Sequence, residues 1–265
     1  MTGLEIIIAY CLLGVFAGTM AGLLGVGGGL IIVPALIAIW QTTAAGGVYE
    51  MQMAIGTSLA TIVLTSIASV RAHHLRGSVQ WDIFWRLTPG VVLGAWMGAL
   101  LATQMSGESL KSIFGVFELL VAAQMAFGVR AAPHRGLPGL VGTTAVGTGI
   151  GTVSAIIGIG GGTMTVPFLS WCNVTIHKAV GTSAACGLPI AIGGAISYLV
   201  LGWGNAALPA WSAGFVYGPA LAGIVVTSML FAPLGAALAH RLSTVVLKRA
   251  FAGFLALLGI WMLTT

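Results

Sequence analysis

Two glycine clusters carry most of the chemistry open to this chain. Gly25, Gly27, Gly28 and Gly29 precede Leu30-Ile31-Ile32-Val33-Pro34; Gly158, Gly160, Gly161 and Gly162 precede Thr163-Met164-Thr165-Val166-Pro167, with each glycine and the proline displaced by 133 residues. Consecutive glycines stop a helix, because each forfeits about 1 kcal/mol of helix propensity. A segment that restarts beyond them presents unpaired backbone N–H groups and the positive end of its dipole, which suit an anion. Gly56-Thr57-Ser58 and Gly181-Thr182-Ser183 follow the clusters and bring two hydroxyls to each half. These glycines and hydroxyls are the candidate substrate-binding residues, and Pro34 and Pro167 are the candidate helix-break residues. One glycine cluster alone would read as a packing or bending device, and membrane Ser and Thr commonly bond their own helix backbone. It is the duplication that favours binding. A nucleotide loop fits poorly, since no strand or Walker lysine accompanies Gly25 to Gly29.

Glu118 lies between Phe117 and Leu119 near the middle of an apolar run. A carboxyl at membrane depth is costly and marks function by default, here a proton carrier; the plainer alternative is a helix-packing hydrogen bond. Its repeat mate is Leu255, so the duplication lends it no support. Glu50 and Asp82 sit near helix ends and read as interfacial. His73, His74, His134, His177 and His240 also lie near ends and form no i,i+4 pair at membrane depth, so no metal site, haem or other cofactor is expected. A single aspartate rules out an aspartyl pair, and no Ser–His pair falls at membrane depth, so no catalytic residue is assigned.

The elements that position these groups are membrane helices. Of 265 residues 58% are hydrophobic and only 6% charged, and the mean hydropathy is +1.07. So little charge cannot cover a soluble domain, and repeated long apolar runs favour helices over a barrel. Long helices are expected over about Leu4 to Leu24, Met53 to Val70, Trp81 to Thr103 and Leu110 to Val129, with Ser106 capping the last. The first of these carries Gly14, Gly18 and Gly22 on one face, open to close helix packing. The piece from Leu30 to Trp40, at about 1.5 Å per residue, is too short to span a core of roughly 30 Å. It is half of a discontinuous helix or a re-entrant arm. Met1 to Glu5 lack a signal peptide's basic region, so the first apolar run is expected to be retained. Cys11, Cys172 and Cys186 lie in or beside apolar segments and read as buried thiols.

The second half restates the first. Gly147 and Gly151 match Gly14 and Gly18, and Gly235-Ala236 and Leu247-Lys248 answer Gly98-Ala99 and Leu110-Lys111. The expected fold is an all-α polytopic membrane protein of about eight long helices and two short glycine-interrupted segments. It divides into repeats at 1–132 and 133–265, joined by the basic linker Arg130 to Arg135. Basic residues bear on the orientation of the repeats. With eight crossings they divide evenly between the two sides, which the positive-inside rule disfavours; if each short segment also crosses, the repeats are inverted and all but Lys111 share one face. Inverted repeats with both termini outside are therefore expected. The net charge of +5 suits loops beside anionic lipid, not nucleic acid, because no basic cluster interleaved with aromatics is present.

Paired glycine clusters, each followed by proline and then by Gly-Thr-Ser near the start of the next helix, resemble the TauE/SafE family of sulfite exporters and related permeases. The likeness runs through both halves. It implies movement of a small sulfur-containing or organic anion, such as sulfite, a sulfonate or sulfoacetate, across the bacterial cytoplasmic membrane. Coupling to a proton or sodium gradient is implied too, and the residues it singles out are the two clusters, Pro34, Pro167 and the two Gly-Thr-Ser triplets. Paired interrupted segments also match the general plan of alternating-access carriers. Transport of another small anion and an anion channel are the alternatives, and a homo-oligomer is compatible with the sequence.

Overall fold

The structure, a computed structural model, describes residues 3–24, 28–43, 47–128, 136–239 and 244–265. The described chain is helical almost throughout. In order it forms α1 (Gly3–Leu24), α2 (Gly29–Thr43), α3 (Glu50–Leu75), α4 (Trp81–Gln104), α5 (Gly107–Phe127), α6 (Leu140–Ile157), α7 (Gly162–Trp171), α8 (Ile176–Leu201), α9 (Gly218–Ala239) and α10 (Thr244–Thr264). Eight of these helices are long and apolar enough to cross a membrane; α2 and α7, at 15 and 10 residues, are not. The expected all-α polytopic fold is thus present. Two features lie outside the sequence expectation: a two-stranded hairpin, β1 (Ser212–Ala213) with β2 (Val216–Tyr217), and the longer reach of α3. The α3 helix starts early because Met51 and Gln52 are buried, with Gln52 Nε2 donating to the Met105 carbonyl at 3.0 Å.

Local chemistry explains the helix ends. Ser106 caps α5 as expected, its Oγ accepting from Ser109 N at 3.2 Å, and the helix ends on Gly128 at φ 63°. The linker Arg130 to Arg135 lies outside the described residues, as do Gly25 and Gly27. Glycine also sets the closest helix contacts. A Cβ at Gly90, Gly94 or Gly98 of α4 would run into the Thr144, Thr148 or Thr152 carbonyl of α6, and one at Gly18 of α1 would meet Ser228 Cα of α9 at 2.6 Å. The expected small-residue face of α1 is therefore a helix-packing face, and Ser228 Oγ bonds across it to the Gly14 carbonyl at 2.9 Å.

These contacts fix helix directions. Gly90, Gly94 and Gly98 climb α4 as Thr144, Thr148 and Thr152 climb α6, so the two run parallel; Gly14 and Gly18 against Ile224 and Ser228 give the same sense for α1 and α9. In contrast α3 and α8 are antiparallel, with Gly56 beside Tyr198 and Gly181 beside Ser78, and so are α5 and α10, with Gly115 beside Gly259 and Leu263. Pairs α3/α8 and α4/α8 occupy the centre, and α2 and α7 lie against α3 and α8 respectively.

One end of the bundle gathers the starts of α1, α3, α5 and α9. Here Trp40 at the end of α2 donates from Nε1 to Tyr10 Oη of α1 at 2.9 Å, and Lys111 Nζ pairs with Glu50 at 2.7 Å. The opposite end holds Arg71, Arg76, Arg86, Lys178, Lys248 and Arg249.

Candidate functional site

The second glycine cluster lies where α6 stops and α7 begins. Gly158 ends α6 at φ 83° and Gly161 precedes α7 at φ 73°, left-handed values that an L side chain resists. Glycine also admits close neighbours. A Cβ at Gly158 would lie 3.1 Å from Val33 Cγ2 of α2 and 3.2 Å from Ile55 Cα of α3; one at Gly160 would lie 3.2 Å from Ile62 Cγ2 of α3. On the far side Gly187 of α8 faces the Gly160 carbonyl, 2.7 Å from where its own Cβ would stand. The break is therefore wedged between the central helices α3 and α8.

The first cluster meets the second. Gly28 and Gly29 are its described members, and a Cβ at Gly29 would reach the Gly158 carbonyl and stand 3.0 Å from Ile159 Cα. Helix α2 opens at Gly28, whose carbonyl accepts from Ile31 N at 3.0 Å and Ile32 N at 2.9 Å. Pro34 and Pro167 lie inside α2 and α7, and both helices continue through them. The interruption falls at the glycines, which corrects the helix-break reading of the prolines. Each proline instead removes the N–H that would have closed on the carbonyl four residues back, Leu30 or Thr163.

Hydrogen bonding divides the break sharply. The carbonyls at the end of α6 find partners: Gly158 O accepts from Ser58 Oγ at 2.8 Å, Ala155 O from Tyr198 Oη at 3.0 Å, and Ser154 O from Gly158 N at 2.8 Å and Ile159 N at 3.0 Å. The donors on the other side have none among the described residues. The first-turn N–H groups of Gly162 and Thr163 precede the first bonds of α7, which run from Met164 N and Thr165 N to Gly161 O. No side chain caps this end, and the hydroxyls of Ser154, Thr163 and Thr165 lack partners among the described residues.

The Gly-Thr-Ser triplets hold loops as well as lining the centre. Thr57 Oγ1 accepts from Tyr217 N at 2.9 Å, and Thr182 Oγ1 accepts from Gln80 N at 2.9 Å, each just before a long helix begins. Gly56 and Gly181 let those loops approach, since added Cβ atoms would lie 2.6 Å from the Phe215 and Ser78 carbonyls. Ser183 Oγ is buried without a partner among the described residues, whereas Ser58 Oγ donates its hydrogen bond to the Gly158 carbonyl. Glu118 is fully buried on α5, apart from the break. Its Cβ stands 3.2 Å from the position of a Cβ at Gly259 of α10, and neither carboxyl oxygen has a partner among the described residues. Sequence reasoning missed Ser154, Thr165 and Tyr198. Only their burial beside the break distinguishes them from other polar residues in apolar runs. Among the described residues no His, Cys, Asp or Glu cluster could hold a metal ion.

Comparison with known proteins gives this arrangement its context. The family described as "Sulfite exporter TauE/SafE" matches residues 10–262. A "Probable membrane transporter protein" of Haemophilus influenzae is 37% identical over 256 residues, covering 96% of this chain and 97% of that protein. The "Probable membrane transporter protein YunE" of Bacillus subtilis is 27% identical over 73% of this chain and 78% of its own length. A further probable membrane transporter protein, from Methanocaldococcus jannaschii, is 26% identical over 95% of this chain and 93% of its own. No solved structure matches the chain. With the family match running through nearly every helix and both glycine clusters, the chain is a membrane transporter and belongs to the TauE/SafE sulfite exporter family.

Proposed function

We propose that the protein is a secondary transporter for a small sulfur-containing anion of the sulfite, sulfonate or sulfoacetate class, working by alternating access around the α6–α7 break. The observation that carries this reading is the one-sided hydrogen bonding there. Acceptors are met by Ser58 and Tyr198, while backbone and hydroxyl donors stand unfilled among the described residues. Buried donors without acceptors are costly, and an oxyanion is the ligand that satisfies several at once. Basic residues of the described chain lie at helix ends, so the anion is held by neutral donors, which lets it leave as well as enter. The family description supports sulfite or its relatives among such anions.

The repeats are 1–132 and 133–265 and are inverted. Support comes from the antiparallel α3/α8 and α5/α10 pairs and from the exchange in which α1 packs on α9 and α4 on α6. The basic end of the bundle faces the cytoplasm by the positive-inside rule, with both termini outside, in a bacterial cytoplasmic membrane. Lys111 at the other end is neutralised by Glu50. Glu118 carries a coupling proton; a sodium gradient is the alternative source of drive.

Substrate-dependent stabilisation tests this reading. The purified protein is melted against sulfite, sulfonates, carboxylates, phosphate and chloride. Any anion that binds the folded state alone raises the melting temperature with its concentration. A rise with sulfite or a sulfonate, and none with chloride at equal ionic strength, is expected. Stabilisation by carboxylates alone would move the substrate to an organic acid.

A further inference from the structure

We propose that Ser154 and Thr165 are the side chains that bind the transported anion, and that the binding half of the molecule is the second, with no equivalent hydroxyls in the first. This deepens, and rests on, the reading of the chain as an anion transporter. Both residues are 0% exposed, and neither hydroxyl has a hydrogen-bond partner among the described residues. They converge on one point. A Cβ built on Gly161, the residue that opens α7, would lie 3.5 Å from Ser154 Oγ and 3.6 Å from Thr165 Oγ1. Ser154 reaches this point from the last turn of α6, and Thr165 from the first turn of α7. The unpartnered N–H groups of Gly162 and Thr163 belong to the same turn. Two buried hydroxyl donors thus stand beside the half-buried N-terminus of α7, and Ile190 Cδ1 lies nearer that point than either of them; a small oxyanion bound there takes the place of the Ile190 methyl end, which turns aside to admit it.

The first half lacks the counterpart. At the repeat spacing of 133 residues, Gly161 corresponds to Gly28, but Ser154 corresponds to Ala21 and Thr165 to Ile32. The cavity beside Gly28, about 30 Å³ and lined also by Ala21 and Ile32, has hydroxyls only on other helices. Those are committed: Thr61 Oγ1 donates to the Thr57 carbonyl at 2.9 Å, Thr65 Oγ1 to the Thr61 carbonyl at 3.2 Å and Ser228 Oγ to the Gly14 carbonyl at 2.9 Å. Duplication thus supplied two breaks, and substitution left free hydroxyl donors at one of them.

The test uses the full chain in proteoliposomes, with counterflow of radiolabelled sulfite and of methanesulfonate measured against concentration. Ser154→Ala and Thr165→Val should each raise the half-saturating concentration of the transported anion about tenfold, the loss of one hydrogen bond to a charged group. Ser154→Thr and Thr165→Ser, which keep the hydroxyl, should stay within about threefold of the parent, a rescue that a purely packing role would not give. Thr65→Val in the first-half cavity should change the value less than about twofold. If the alanine and valine variants do not fold, Ser154→Cys keeps the volume with a weak thiol donor and should show the same loss. A parent that transports, with Ser154 and Thr165 variants that saturate as it does, would overturn the assignment and leave the transport reading standing. A parent that moves neither anion would overturn both.

Discussion

Ser58 and Tyr198 hold the α6–α7 break open by taking up the carbonyls that a continuous helix would have bonded internally. Ser58→Ala leaves the Gly158 carbonyl buried and unpaired. It should lower the unfolding free energy by about 1–3 kcal/mol, read from denaturant titration in detergent. The wild-type value would show that water replaces the hydroxyl. Glu118→Gln keeps the shape but removes the ionisable proton. Transport driven by a pH gradient should fall to the level seen without a gradient, while counterflow at equal pH stays near the parent rate; unchanged gradient stimulation would take Glu118 out of coupling. At this scale the sequence was legible where residues repeat. Paired glycines and Gly-Thr-Ser triplets pointed to the centre of the molecule. Ser154 and Thr165 were not legible, because their mates are Ala21 and Ile32 and because a lone hydroxyl in an apolar run is ordinary until its missing partner is seen.

Between elements, close packing is governed by glycine on the α4/α6 and α1/α9 faces. Gly94→Ala drives a methyl into the Thr148 carbonyl, with Thr148 C and Thr152 N at 2.8 Å. It should destabilise by about 1–3 kcal/mol, the cost of overpacking. Gly149→Ala, on a face of α6 with nothing within 4 Å, should instead stabilise by about 0.5–1 kcal/mol through helix propensity. Thermal shifts of the same sign for both would contradict the packing account. The long helices were readable from apolar length alone, and the close-packing face of α1 from its spacing of four. The β1/β2 hairpin was not. Its Phe215 is buried against Tyr198 and Tyr49, a tertiary contact that leaves no periodic trace in two-residue strands. The prolines misled for a related reason. A membrane helix tolerates a missing N–H where neighbours pack around it, so the chain breaks at glycine instead.

For the whole molecule, the antiparallel α3/α8 and parallel α1/α9 pairs set Gln41, at the end of α2, and Asn173, just after α7, at opposite ends of the bundle. Single cysteines at Gln41 and Asn173, introduced after Cys11, Cys172 and Cys186 are replaced, should label with an impermeant thiol reagent from opposite sides of the membrane. Labelling from one side would defeat inversion. The glycine spacing and the placement of basic residues are what the inverted-repeat proposal rests on in the sequence. The packing of α2 and α7 was not readable, since it depends on Trp40 meeting Tyr10 and on the wedge between α3 and α8. The most direct test of the central claim is counterflow: proteoliposomes preloaded with unlabelled sulfite are diluted into labelled sulfite, and accumulation is followed over time. The account predicts saturable, transient accumulation above the outside concentration, abolished when preloading is omitted. Unsaturable equilibration with no overshoot, or no uptake of sulfite or any sulfonate, would contradict it.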